Sequence, residues 1–225
     1  MRHLILTTAT VFSLFAGAFA HATFPGPFSH EVTDLPPDPN AVWGQLDNGM
    51  KYAILPHDEP PGRISLRLLV DAGSLNESEA QRGLAHFLEH MAFNGTTHFA
   101  PDEMVEYFQR IGMAFGADTN AHTGFDETVY KIELPENSAT YLKEGLKVLR
   151  DYADGMLLLD EEIEKERGVI LAEKRSRDSV GFRTFEAYWD FIFPQSIISK
   201  RLPIGLEDVI STAPRAEFLD FFDPI

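Results

Sequence analysis

Residues 86–90 read His86-Phe87-Leu88-Glu89-His90 and lie in an apolar stretch that is predicted to be helical. Residues four apart share one face of a helix, so both imidazoles can reach a single metal ion. Glu89 can sit beside a metal-bound water without binding the metal. With 8 histidines and 19 glutamates in 225 residues, this pattern arises by chance at about one starting position in 10,000. The alternative is a surface helix with histidines spaced by four, which the apolar neighbours disfavour.

A catalytic zinc ion ordinarily has three protein ligands and a water, and an acidic helix predicted downstream offers the third. Its sequence from Glu166 to Glu173 is E-R-G-V-I-L-A-E, which places two carboxylates two turns apart on one helix face. Most acidic residues of the stretch 160–178 are interpreted as a solvated surface. Glu173 differs from them because it follows four apolar residues.

Composition narrows the classes of function. The chain carries 35 acidic and 19 basic side chains, a formal net charge of −16. Such a charge argues against nonspecific binding to nucleic acid or to anionic lipid. Cysteine is absent, which excludes disulfides, Cys-ligated zinc and a thiol nucleophile. Any metal site must therefore be built from His, Asp and Glu.

The first 22 residues have the composition of a cleaved secretory signal peptide. Arg2 is their only Lys or Arg, no acid occurs, and cleavage is expected after Ala20 or Ala22. The alternative is an uncleaved N-terminal anchor. No later apolar stretch is long enough to span a bilayer, so the mature protein is expected to be soluble and exported, either periplasmic or secreted.

The remaining pattern predicts one α+β domain at 42–225, preceded by a proline-rich extended leader at 23–41. We expect a mostly antiparallel sheet covered on one face by helices. Strands are predicted at 43–46, 50–55, 64–70, 114–119 and 128–134. Helices are predicted at 84–93, 101–111, 139–158, 161–179, 182–193 and 214–221. The aromatic helix at 182–193 is expected to pack in the core rather than to form a ligand site.

Three segments together resemble a known family. H-F-L-E-H-M-A-F-N-G-T at 86–96, N-A-H-T at 120–123 and E-R-G-V-I-L-A-E at 166–173 resemble, in the same order, the N-terminal half of the insulinase/pitrilysin zinc metallopeptidases, the inverzincins. The resemblance extends from Val42 to Phe222, and is strongest to bacterial periplasmic members and to the mitochondrial processing peptidase β type.

The resemblance implies a role for each matching residue. His86, His90 and Glu173 become the ligands of one Zn²⁺, and Glu89 becomes the general base. Glu166 becomes the carboxylate that orients a ligand, while Asn120 and Ala121 become the edge strand that pairs with the substrate backbone. The separation of 173 − 90 = 83 residues is longer than is usual for the family. Extra residues are expected in Asn137–Asp160, and a different choice of third ligand stays open.

The family builds a clamshell from two homologous halves, so the resemblance implies a partner. The second half is expected to supply an Arg/Tyr pair that binds substrate, and the present chain is interpreted as one half, truncated at its C-terminus. One hypothesis is a zinc endopeptidase half that cleaves short or unfolded polypeptides through a zinc-bound water. The other is a non-catalytic peptide-binding or zinc-binding subunit. His98 and His122 are expected to be surface or capping histidines.

Overall fold

The computed structural model describes residues 28–223, and the predicted signal peptide at 1–22 and leader residues 23–27 lie outside the described residues. The described residues divide into two compact units, one that ends at Pro56 and one that begins at His57. Within the described residues the helices and the antiparallel sheets give an α+β fold, which confirms the predicted class. The domain boundaries at 23 and 42 stay predictions.

In the first unit, strands β1 (Val42–Gln45) and β2 (Lys51–Ile54) pair antiparallel. Their connection contains Gly49 at a φ of 92°, a left-handed conformation that glycine adopts without steric cost. The two strands therefore form a hairpin whose connection contains Asn48-Gly49, a pair that favours tight turns. The leader, predicted to be extended, contains one turn of 3-10 helix at Ser29–Glu31.

The second unit contains three strands and seven α-helices within its described residues. The strands are β3 (Ile64–Val70), β4 (Thr119–Thr123) and β5 (Thr128–Leu134). The helices are α1 (Leu84–Met91), α2 (Glu103–Arg110), α3 (Ala139–Asp154), α4 (Asp160–Arg177), α5 (Val180–Ile192), α6 (Glu207–Thr212) and α7 (Arg215–Phe222).

The three strands form an antiparallel sheet in the order β3-β5-β4, with β5 in the centre. Alternate residues of β5, among them Tyr130, Ile132 and Leu134, are buried, as expected for a strand with one covered face. Helices α1 and α3 contact the sheet, and β4 is an edge strand of it. The expected layer of helices over an antiparallel sheet is thus confirmed.

Helix α1 lies in the centre of the core. Leu84, Phe87 and Met91 are fully buried, and the Phe87 ring meets Phe218 of α7 edge to face, with centroids 4.7 Å apart. Burying each such side chain contributes about 1.5–3 kcal/mol. Because α1 also contacts α4 and β4, its packing sets the distance between the histidine motif, the acidic helix and the edge strand.

Two predicted elements differ from the structure. The strand expected at 114–119 begins only at Thr119, because the preceding residues form a turn in which Gly116 has a φ of 87° and the Asp118 amide donates to the Ala114 carbonyl. Helix α6 was not expected from the sequence, since its six residues are too few for an apolar period to be recognised.

The expectation that helix 182–193 packs in the core is wrong. None of the residues of α5 is buried, and Tyr188 and Phe191 are 58% and 80% exposed. Its aromatic rings stack mainly on one another, with the Trp189 ring 5.4 Å from those of Phe185 and Phe125. The spacing of the aromatic residues correctly predicted a helix with an aromatic face. It did not indicate whether that face is covered by the rest of the protein. Over residues 28–223, no helix combines the length and apolar character required to cross a bilayer.

Candidate metal centre

Helix α1 presents three side chains of the histidine motif to one place. His86 and His90 lie one turn apart, with ring centroids separated by 4.8 Å. Glu89 lies in the same turn, and both His86 and Glu89 are buried. The helical repeat places these three groups on neighbouring positions of α1, as expected. The apolar side chains on its core face hold the helix in place.

Helix α4 brings two carboxylates to the same place from the opposite side. Glu173 Oε2 lies 3.6 Å from His86 Nε2 and 3.5 Å from His90 Nε2. Glu166 Oε1 lies 2.8 Å from the other ring nitrogen of His90, Nδ1. The seven-residue spacing therefore places Glu173 among the histidine nitrogens and Glu166 behind one of them.

The donor set fits a zinc ion. His86, His90 and Glu173 each offer one ligand atom, and these atoms lie within 4.8 Å of one another. Two imidazole nitrogens and a carboxylate oxygen are a ligand set that catalytic zinc sites use. Because His90 Nδ1 faces Glu166, its Nε2 is left to face the other two ligand atoms, an orientation that metal-binding histidines commonly receive from a carboxylate.

Burial and neighbouring charges shift the pKa values of the two histidines in opposite directions. Burial, followed by the adjacent His90, lowers the pKa of His86 to about 4, so this imidazole is neutral and able to bind a metal at neutral pH. Burial also lowers the pKa of His90, but the hydrogen bond to Glu166 and nearby carboxylates outweigh it and raise the value. Glu166 has a lowered pKa, because hydrogen bonds from His90 and Asn94 outweigh its burial.

Glu89 has a different environment from the other two glutamates. Burial raises its pKa, although the hydrogen bond from Thr123 acts in the opposite direction. Thr123 Oγ1 donates to Glu89 Oε2 at 2.6 Å, so the last residue of β4 orients this carboxylate. A carboxylate with a raised pKa is suited to accept and release a proton.

Three further residues contact the site and were not expected from the sequence. Asn94 Nδ2 donates to Glu166 Oε2 at 2.8 Å, Thr123 donates to Glu89, and Arg177 forms an ion pair with Glu173. Arg177 lies four residues after Glu173 on α4, so helical spacing could have indicated it. Asn94 lies three residues beyond the end of α1 and carries no such signal. Thr123 requires the packing of β4 on α1.

The predicted substrate strand lies beside this centre. Asn120 and Ala121 belong to β4, whose other edge carries no strand among the described residues, and β4 contacts α1. The remaining histidines of the region lie apart from the ligand set. His98 Nδ1 is 2.7 Å from the buried Asp151, and the exposed His122 is 3.6 Å from Glu127.

Comparison with known proteins agrees with this geometry. The family model described as insulinase (peptidase family M16) matches residues 52–180. The probable zinc protease PqqL of Escherichia coli is 37% identical over 188 residues, which cover 84% of this chain and 20% of that protein. This chain therefore spans about a fifth of the length of the PqqL-like curated relatives that it matches.

Solved structures show the same relationship. The first half of the periplasmic protease PqqL from Escherichia coli superposes with a TM-score of 0.80 at 37% identity, covering 84% of this chain and 40% of that one. A mutant of the ferredoxin protease FusC, solved in complex with Arabidopsis ferredoxin, gives a TM-score of 0.75 at 29% identity over 82% of this chain and 21% of that one. The chain belongs to the insulinase family of peptidases, peptidase family M16, and corresponds to part of the N-terminal half.

Proposed function

We propose that the chain is the metal-binding part of a zinc-dependent endopeptidase. The observation that carries this proposal is the convergence of His86, His90 and Glu173 with Glu89 beside them in a buried position. Relatives named as zinc proteases support it. The three ligand residues would hold one Zn²⁺, and Glu166 would orient His90 through the 2.8 Å contact to its Nδ1.

Glu89 would move the proton in this reaction. A bound zinc ion would supply Lewis acidity that polarises a peptide carbonyl and lowers the pKa of water. Glu89 would accept a proton from the attacking water on a carboxylate oxygen and pass it to the leaving amine nitrogen. Thr123 would keep that carboxylate oriented through its hydroxyl, which donates at 2.6 Å.

The edge strand β4 would bind the substrate backbone. An extended peptide that adds to the free edge at Asn120 and Ala121 would receive main-chain hydrogen bonds. This mode gives affinity with little selection among side chains, and we therefore propose unfolded or short polypeptides as substrates. A folded small protein is a second class to test, because the relative FusC was solved with ferredoxin.

We further propose that cleavage requires a second homologous half, in the same gene product or in a partner chain. The support is that this chain covers 40% of a structure which is itself only the first half of its protease. We propose export to the periplasm on the basis of the signal-like N-terminus and the periplasmic PqqL structure. An adjacent coding sequence for a homologous half with an Arg/Tyr pair would support this arrangement.

The test measures the zinc content and the peptide-cleaving activity separately. Elemental analysis of the full chain should give one zinc per chain, and Glu173→Ala should lose it, while Glu161→Ala, an exposed residue of the same helix, should not. Glu89→Gln should keep the zinc. With the second half present, it should reduce the rate of cleavage of an unfolded peptide by about 10²–10⁴-fold. Zinc binding without cleavage in any pairing would instead favour a non-catalytic subunit.

A further inference from the structure

The N-terminus of α1 has no capping side chain of its own. Its N-cap residue is Gly83, at a φ of 106°, and the first amides of a helix need acceptors from outside the helix. A side chain at this position would also collide with a neighbouring segment, because a Cβ on Gly83 would lie 3.0 Å from the Cα of Gly205. An acceptor for these amides must therefore come from elsewhere.

Glu77 supplies that acceptor from the preceding loop. Its Oε1 accepts from the amides of Gly83 at 2.9 Å and Ala85 at 3.0 Å. The side chain is only 5% exposed, so these bonds are shielded from water. Ala85 directly precedes His86 in the chain, and the bonds to Glu77 therefore set the first turn of the helix that carries both histidines and Glu89.

The loop that carries Glu77 is itself attached to the end of β4. The amides of Ser74 and Leu75 donate to the carbonyls of Gly124 and Phe125, at 3.1 and 2.7 Å. These carbonyls follow Thr123, whose hydroxyl orients Glu89. The loop of Glu77 is therefore bonded both to the end of β4 and to the start of α1. The same two elements are joined a second time by the hydrogen bond from Thr123 to Glu89.

From these contacts we propose that Glu77 is a positioning residue, which holds the start of α1 so that His86, Glu89 and His90 face Glu173 and Thr123. The expected effect of Glu77 on metal binding rests on the zinc site proposed above. The important property is the reach of the acceptor oxygen. Gln has the same reach without the charge, whereas Asp has the charge and is shorter by one carbon.

The test is a titration of the full chain with Zn²⁺ and, separately, with Co²⁺, whose visible absorption reports the ligand geometry. Glu77→Ala should weaken zinc binding by about tenfold, the lower end of the range for groups behind metal ligands, and should change the Co²⁺ spectrum. Glu77→Asp should weaken it severalfold, which keeps the test open if Glu77→Ala does not fold. Glu77→Gln should restore wild-type binding and spectrum.

Two controls separate positioning from loss of stability. Asp71→Ala removes an exposed carboxylate from the same connection between β3 and α1. Val148→Ala opens a cavity in α3 at a fully buried position, lowering stability away from the site. Both should bind zinc as the wild type does. The proposal is overturned if Glu77→Ala and Glu77→Asp bind zinc like these controls, or if Glu77→Gln is as impaired as Glu77→Ala.

A metal-independent measurement distinguishes failure of this proposal from failure of the proposed function. If the wild type binds no zinc, the proposed function fails, and amide hydrogen exchange then decides the role of Glu77. Exchange across Leu84–Met91 that is faster in Glu77→Ala than in Val148→Ala, at equal loss of global stability, would support positioning. Equal exchange in the two variants would overturn it.

Discussion

Glu77 also gives the protein a pH-dependent stability whose size follows from its environment. Burial raises the pKa of this carboxyl from 4.5 to about 7, against the opposing effects of the Ala85 and Gly83 amides and of Arg201 and Arg82. The folded state therefore binds the proton more tightly than the unfolded state. The contribution to the unfolding free energy is complete below pH 4.5 and falls as the pH rises to about 7. At about 1.4 kcal/mol per pKa unit, the total fall is about 3.5 kcal/mol.

The assay is urea unfolding of the metal-free wild type and Glu77→Gln at pH 5 and pH 8. Gln keeps the acceptor oxygen but cannot ionise, so the difference in unfolding free energy between the two proteins isolates this carboxyl. Part of the contribution is already lost at pH 5, which lies above the unfolded pKa of 4.5. We therefore expect Glu77→Gln to gain about 2.5 kcal/mol relative to the wild type between pH 5 and pH 8. A difference that is the same at both pH values, or that changes in favour of the wild type at pH 8, would refute the reasoning.

Three further predictions concern other contacts of the site and its surroundings. Glu166→Ala should weaken zinc binding by about 10–100-fold in a competition titration, because His90 loses the acceptor of its Nδ1 proton. Thr123→Val should leave zinc content unchanged and lower kcat, because Glu89 loses its 2.6 Å hydrogen bond; an unchanged kcat would contradict that role. Asp151→Ala should lower the unfolding free energy by about 3 kcal/mol, since this fully buried carboxylate accepts from Thr96 and His98. Loss of less than about 1 kcal/mol would contradict this, as that is the value of one ordinary hydrogen bond.

Local patterns predicted the parts of the site that lie within one element. The i, i+4 spacing of His86 and His90 depends only on helix geometry, and it placed both rings together without any tertiary information. Likewise, β3 and β5 occupy the predicted residues because branched and alternating apolar side chains are typical of strands with one buried face.

Contacts between distant segments could not be read from these patterns. Glu77 is one of several acidic residues in a polar loop, and nothing in its neighbours indicates that its oxygen reaches the amide of Ala85. Thr123 contacts Glu89 only because α1 packs on β4. The start of β4 was misplaced because the predicted strand ran through Gly116, which marks a turn before Thr119.

The exposed aromatic face of α5 has a practical consequence for handling the isolated chain. Tyr188 and Phe191 present rings to water, which favours association between copies. The formal net charge of −16 opposes such association through mutual repulsion. Added salt screens this repulsion over about 8–10 Å near 0.1–0.15 M and leaves apolar attraction in place. Dilute buffer should therefore keep the isolated chain dispersed, and concentrated salt should promote its self-association and precipitation.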